Sequence, residues 1–280
     1  MKFLAVICRC RDEFFIQEFC DYYLKQGVDD VYIIDDDSED KTIYNFLDSP
    51  RYVNVNLIKT TRQYHDATTS NNPLNTNDET NKLYGSIRHD YEWMIYVDVD
   101  EFITTKRNFA MTIREQLQNI NTQHPHVHWI LSPWVLMSGL HNIENPKSIL
   151  SSILYRHDQN IKHLYPVKKF KCTYNRIYCK SIFKPQYFEY IKDHGPPPGD
   201  EIKYNGIDLQ PNRISGYCIK KLRNHGIETG VFLCYHYRYI SLQHARSKLN
   251  TNGWYINDGY TLEDLQATYP EIYDDTFLRK

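Results

Sequence analysis

No stretch of the 280-residue chain is apolar for long enough to span a bilayer, and the opening MKFLAVICRC meets charge too soon to serve as a secretion signal. The mature chain is therefore expected to begin at Met1 and to stay in the cytoplasm. Its seven cysteines contain no CxxC pair. Cys8 and Cys10 fall on one face of an apparent strand, so reduced core thiols are expected rather than a zinc site or a disulfide framework. A basic excess is missing too. The 33 Lys and Arg against 35 Asp and Glu leave a formal charge of −2, which speaks against a dominant contact with a nucleic acid backbone. There is no internal repeat. What is present, 41% apolar and 24% charged residues, suffices for a packed core without staples.

The apolar residues are distributed as strands alternating with helices. FLAVIC (3–8) is a continuous apolar run of strand length, the pattern of a strand covered on both faces. After the polar turn RCRDE, the stretch FFIQEFCDYYLKQG (14–27) repeats apolar residues at helical spacing and ends on Gly27, a left-handed stop. VYIIDDDSEDKT (31–42) repeats the plan, with Ser38 predicted to cap a helix carrying Ile43, Phe46 and Leu47. VNVNLI (53–58) is a third strand and WMIYV (93–97) the next, separated by a polar Asn- and Thr-rich loop over 64–80 and a helix at KLYGSIRHDY. Further strands are expected at 129–135 and 176–184, a loop at GPPPGD (195–200), and helices after Ser241 and Thr261. Such alternation implies a parallel sheet with its ligand crevice at the carboxyl ends of the strands.

At that edge stand two groups of acids. WMIYVDVDEFI (93–103) runs from a strand straight into Asp98, Asp100 and Glu101. Three neighbouring carboxylates repel one another, and a divalent cation is an economical way to keep them ionised; oxygen ligands suit Mg2+ or Mn2+. Alternation points Asp98 and Asp100 the same way and Glu101 the other. An isolated DxD is usually a surface turn, but this one ends a strand of the inferred sheet. In IIDDDSED, an Asx turn or cap accounts for Asp37 and Ser38, leaving one of Asp35, Asp36 and Asp37 to meet a base or ribose.

These residues carry a resemblance. The stretch from Cys8 to Thr42 followed by WMIYVDVDEFI resembles the start of GT-A fold glycosyltransferases, and SPWVLMSG (132–139), KSIFKP (180–185), His194 and YHYRYISLQHARSKLNTNG (235–253) resemble, in order, the landmarks of glycosyltransferase family 92 and related family-2-like proteins. The resemblance implies a Rossmann-like α/β/α sandwich with a mainly parallel central sheet. It implies one domain over 1–280: a nucleotide-sugar-binding half (1–105), an acceptor and catalytic half (106–256) and a C-terminal helical tail (257–280). In that pattern Asp36 meets the base or ribose, Asp98 and Asp100 hold Mn2+ or Mg2+ on the diphosphate, and His236 completes the metal site. Where this chain has Asp12 before Glu13 the family usually has Asn.

The resemblance also implies a reaction: transfer of a sugar from a nucleotide diphosphate, UDP by expectation, to a hydroxyl of a glycan or glycoconjugate, with inversion. Such transfer needs the leaving diphosphate's charge neutralised. Arg9, Arg11, Glu13 and Lys180 are expected beside the donor, while Lys184, Lys248 and Arg246 fit a solvated surface equally well or better. It also needs a base for the acceptor proton, for which His194 and Asp193 stand before GPPPG and Asp200 and Glu201 after it. Trp134, Trp254 and Tyr255 are candidates for a platform under an acceptor sugar. His126 and His128 have metal-ligand spacing but no third ligand nearby. The alternative is a catalytically inactive nucleotide-sugar or glycan-binding module of the same fold. A phosphatase of the haloacid dehalogenase type is disfavoured, because its DxD would follow the first strand and not the fourth.

Overall fold

The computed structural model describes residues 1–60, 78–158, 176–197, 199, 201–212, 216–220, 224–251, 256, 259–267 and 271–279. The first half is strand and helix in alternation: β1 (Lys2–Cys10), α1 (Ile16–Lys25), β2 (Asp30–Asp36), β3 (Val55–Thr60), α2 (Asp78–Ile87), β4 (Tyr91–Asp98), β5 (Glu101–Thr104) and α3 (Ile113–Gln123). The second half brings β6 (Trp129–Ser138), α4 (Ile149–Ser152), β7 (Tyr155–His157), β8 (Arg176–Phe183), β9 (Lys203–Asn205), β10 (Pro211–Asn212), β11 (Cys218–Lys220), α5 (Asn224–Thr229), β12 (Leu233–Tyr239), α6 (Leu242–Thr251), α7 (Leu262–Ala267) and β13 (Glu271–Tyr273).

The main sheet runs β10-β9-β6-β8-β4-β1-β2-β3. β3, β2, β1 and β4 are mutually parallel. β8 is inserted antiparallel between β4 and β6, and β6 pairs parallel with β9 and with β12. The sheet is thus mainly parallel, as expected, and β1 is central because Leu4 through Cys8 are apolar on both faces and fully buried. One core layer gathers α1, α3 and the lower faces of β1, β4 and β12; the other lies on the opposite face, around Tyr84, Tyr96, Trp129 and Phe183. Burying each large apolar side chain contributes about 1.5–3 kcal/mol, so this two-faced sheet is the stiff part of the molecule.

Differences from the sequence reading are local and have physical causes. The helix expected after Ser38 is a 3-10 segment, Lys41–Asp48, capped by Asp40, whose side chain accepts from the Thr42 N–H. Ser38 is drawn elsewhere: its N–H donates to Asp35 Oδ1 and its hydroxyl accepts from the Asp12 N–H. The third strand lies two residues later than its apolar run, at Val55–Thr60, because its register is set by β2. α2 starts at Asp78, inside the expected loop, the rest of which falls outside the described residues up to position 77. The C-terminal stretch is helical at Leu262–Ala267, but Glu271–Tyr273 pairs antiparallel with β7. Gly27 has φ +84 and stops α1 as its position predicts. Cys8, Cys10, Cys20, Cys179 and Cys234 are buried free thiols. Among the described residues no helix is long and apolar enough to cross a membrane.

Candidate active site

Register places the acids together. Within the sheet Arg9 pairs with Asp98 across β1 and β4, and Cys10 with Asp35 across β1 and β2, so Arg9, Asp36 and Asp98 share the carboxyl edge of the parallel strands. The DxD is not extended throughout: β4 ends at Asp98, Val99 and Asp100 form a turn, and Glu101 opens β5. Val99 is buried beneath the turn. Tyr23 of α1 fixes the far side, donating to the Glu101 carbonyl at 2.9 Å and accepting from the Ile103 N–H at 3.0 Å.

The cluster is held by Arg9 of β1 and by two lysines from the second half of the chain. Lys180, on β8 and 1% exposed, puts its ammonium 2.7 Å from Asp98 Oδ2 and 3.1 Å from Glu101 Oε2, and donates to the Asp193 carbonyl at 3.0 Å. Glu101, fully buried, accepts from the Asp98 N–H at 2.8 Å. Arg9 lies 3.9 Å from Asp98 Oδ1 and 3.6 Å from Asp193 Oδ1. Asp100 Oδ2 is 3.1 Å from the Lys248 ammonium and 3.5 Å from His236 Nε2. His236, on β12 and paired with Glu101 in the β5 ladder, has Nδ1 3.9 Å from Glu101 Oε1.

These contacts set the charges. Burial pushes both Asp98 and Asp100 towards the neutral acid, but Lys180 and Arg9 hold Asp98 below the usual carboxylate range, and Lys248 and His236 hold Asp100 further below it. Glu101 is different: burial, opposed by Lys180 but joined by Asp98, pushes its carboxyl up to about 7. Burial would strip Lys180 of its proton, yet Asp98 and Glu101 outweigh it, so the ammonium persists. His194 is half-buried and neutral: burial and the Lys180 charge lower it to about 3. Its ring stacks on Tyr178 and Tyr217, centroids 5.7 and 5.4 Å away, with Trp134 at 5.5 Å. His194 Nδ1 lies 3.1 Å from the Cys179 carbonyl. A carbonyl only accepts, so Nδ1 carries the proton and Nε2 keeps its lone pair.

The loop bearing Asp193 and His194 is fastened to β8. Ser181 Oγ donates to the His194 carbonyl at 2.7 Å, Lys192 and Gly195 form an antiparallel bridge, and Tyr217 donates to the Pro196 carbonyl at 2.7 Å. Gly195 is obligatory there: φ is +129, and a Cβ would fall 2.2 Å from Ser181 Oγ. Asp193 itself is half exposed.

At the neighbouring strand end the three aspartates part ways. Asp35 is consumed locally, accepting from the Ser38 N–H, Tyr44 and Lys41. Asp37 is exposed with φ +59. Asp36 ends β2 and is 8% exposed. Asp12 has φ +53 and accepts from the Glu39 and Asp40 N–H groups; Asp and Asn share tolerance of this left-handed conformation, which explains how an Asp stands where the family has Asn. Arg11 lies half-exposed, 3.8 Å from Asp12 and Glu39. Glu13 meets His244 of α6 at 3.7 Å.

Lys248 is not a surface cation, as its place in the sequence suggests, but reaches Asp100. Lys184 is buried too, over the Trp93 ring at 4.9 Å. Among the described residues His126 and His128 belong to no group of three metal-ligating side chains, and the His128 ring lies against Tyr187 at 4.9 Å. Glu201 is exposed, and Asp200, Trp254 and Tyr255 lie outside the described residues. Trp134 does stand at the cluster, its ring 4.6 Å from His236.

Among the described residues no three of His, Cys, Asp and Glu are gathered as a closed metal cage. The donor chemistry nevertheless fits a hard divalent ion that arrives with a phosphate, which needs only one or two carboxylates from the protein. Asp98, with its side chain 42% exposed, would supply one at the rim, and Asp100, beside His236, would supply the other.

The sequence profile of glycosyltransferase family 92 matches residues 13–266. The chain belongs to glycosyltransferase family 92. Its α/β architecture is that of the mainly parallel sheet described above. No curated protein matches the chain in sequence. Among solved structures, the chain is similar to residues 1–349 of S. aureus TarS in complex with UDP-GlcNAc, at 16% identity and TM-score 0.39 over 69% of this chain and 49% of that one. It is similar also to S. aureus TarS over 85% of this chain and 37% of that one, at 16% identity and TM-score 0.39. A putative glucose-1-phosphate thymidylyltransferase from Bacillus anthracis in complex with a sucrose gives 12% identity and TM-score 0.31, over 53% of this chain and 63% of that one. This family 92 chain spans about half the length or less of the TarS structures it resembles.

Proposed function

We propose that this family 92 protein transfers a sugar, a hexose by expectation, from a nucleotide diphosphate, with UDP as the first candidate, to a hydroxyl of a glycan or glycoconjugate. One observation carries the reading. Buried Lys180 joins the strand-end acid Asp98 to the loop that holds Asp193 and His194, so a diphosphate at the rim and an acceptor at the loop meet at one charge cluster. In the proposed site Asp36 takes the base or ribose, Arg9 faces the diphosphate, and Arg11 and Glu13 line the turn after β1. Mn2+ or Mg2+ held by Asp98, Asp100 and His236 would neutralise charge developing on the leaving diphosphate.

The chain's own groups act on the acceptor. A single displacement with inversion forms a bond from the acceptor oxygen to the anomeric carbon, breaks the bond to the diphosphate, and passes the hydroxyl proton to a base. Two groups are placed for this. His194 offers the Nε2 lone pair that its Cys179 contact leaves free of a proton, and Asp193 offers a half-exposed carboxylate turned towards Arg9. Trp134, beside both His194 and His236, gives the acceptor ring an aromatic face. The buried free thiols fit a reducing, cytoplasmic setting.

The test is a screen of nucleotide sugars with Mn2+, read as nucleoside diphosphate release and as a raised melting temperature, since a ligand of the native state must stabilise it. Release with one sugar nucleotide supports the proposal. Stabilisation without release, whatever acceptor is supplied, favours the inactive binding module, and neither effect with any donor removes the proposal.

A further inference from the structure

The two lysines at the acid cluster are held differently. Lys180 has a side chain 2% exposed and three oxygen acceptors within 3.1 Å, on Asp98, Glu101 and the Asp193 backbone. It cannot leave without stranding Glu101, which is fully buried. Lys248 has a side chain 20% exposed, and its ammonium donates to Asp100 Oδ2 at 3.1 Å and to the Arg238 carbonyl at 3.3 Å.

α6 brings it there. Ser241 Oγ accepts from the His244 N–H at the helix start, and the i, i+4 spacing puts His244 and Lys248 on one face. That face covers the carboxyl edge of the sheet: His244 meets Glu13 after β1, and Lys248 meets Asp100 after β4. A cation placed on Asp100 meets the Lys248 ammonium at contact distance, and like charges there repel. Because Lys248 has a flexible four-carbon stem and a side chain 20% exposed, it can turn away from an incoming cation and towards the anion that comes with it.

We propose that Lys248 is a diphosphate-binding residue of the donor site, kept on Asp100 as an internal counter-cation until a divalent ion takes over that carboxylate. The inference rests on the donor site proposed above and adds an exchange: Lys180 is the fixed counter-charge of the cluster and Lys248 the movable one.

Calorimetry on the full chain tests it with three titrants: MnCl2 alone, UDP alone, and UDP in saturating MnCl2. Lys248→Met removes the competitor for Asp100, so MnCl2 alone should bind at least about threefold more tightly than to wild type. The same variant loses a charge-assisted contact, so UDP in MnCl2 should bind about tenfold more weakly. Lys248→Arg, which keeps the charge, should stay within about threefold of wild type for UDP in MnCl2. A merely structural lysine would not move the two affinities in opposite directions. Unchanged or weaker Mn2+ binding in Lys248→Met, or unchanged UDP binding in MnCl2, overturns the exchange while the donor site stands. Wild type that binds UDP under no condition overturns both.

Discussion

Single residues at the sheet edge differ in what they are asked to do. In the proposed site Asp36 binds a part of the donor that does not change during reaction, so Asp36→Ala should raise KM for the donor about tenfold with turnover nearly unchanged. Steady-state kinetics checks this, and an equal loss in turnover would assign Asp36 another role. His194 has a folded-state pKa of about 3 against about 6.5 in an unfolded chain. Between these values the unfolded chain binds a proton that the folded one does not, so stability falls as pH drops through that window, by up to about 1.4 kcal/mol per pH unit. Urea unfolding at pH 7 and pH 5 should show His194→Gln losing less stability on acidification than wild type. Equal losses would mean that the ring is protonated in the fold. Lys180 was expected beside the donor but not as a buried partner of the acids, and Lys248 was expected at the surface. A cation's burial is decided by its partners, and theirs lie 82 and 148 positions away in the sequence.

Elements were legible in proportion to how much of their burial is local. FLAVIC and WMIYV declare themselves as strands because both faces are covered, and they are β1 and β4. Gly139, the last residue of SPWVLMSG, marks a constraint that the sequence does not explain: a Cβ there would fall 2.1 Å from the Ile240 carbonyl oxygen, where the end of β6 meets the chain leaving β12. β13 was not legible. It is three residues long, and what secures it is a charge network: Asp274, 7% exposed, lies 2.8 Å from Arg156 Nε and 3.1 Å from the Lys106 ammonium, and accepts from Tyr235 at 3.2 Å. Tyr235 neighbours His236 on β12, so this clamp braces the strand that carries the histidine. Although burial opposes it, Lys106 and Arg156 hold Asp274 below the usual carboxylate range, so its contribution is full above that range and is lost as pH falls through the depressed value. Asp274→Ala leaves Arg156, 3% exposed, with the half-exposed Glu228, 3.4 Å away, as its remaining carboxylate partner among the described residues and should cost about 3 kcal/mol in chemical unfolding at pH 7. A cost below about 1 kcal/mol would show that the network relaxes around the gap.

At the scale of the molecule, alternation of strand and helix was sufficient for the parallel half, because each element there pairs with its neighbour or near neighbour in sequence. The second half resists such reading. β8 enters antiparallel between β4 and β6, and β12 pairs with β5 and β6, over a hundred residues earlier in the case of β5. The site is assembled across that divide: Asp98, Asp100, Glu101 and Arg9 come from the first half, and Lys180, Asp193, His236 and Lys248 from the second. The divide also explains why the acids, adjacent in sequence, were legible as a group while the lysines that neutralise them were not legible as their partners. The central claim is that this edge neutralises a leaving diphosphate. Its most direct test is nucleoside diphosphate release from the donor found by the screen, in Mn2+, by wild type and Asp100→Ala. Removing a charge-stabilising group of this kind should lower turnover by about 10²–10³, with the unfolding transition of the variant retained. Turnover in Asp100→Ala equal to wild type would contradict the account.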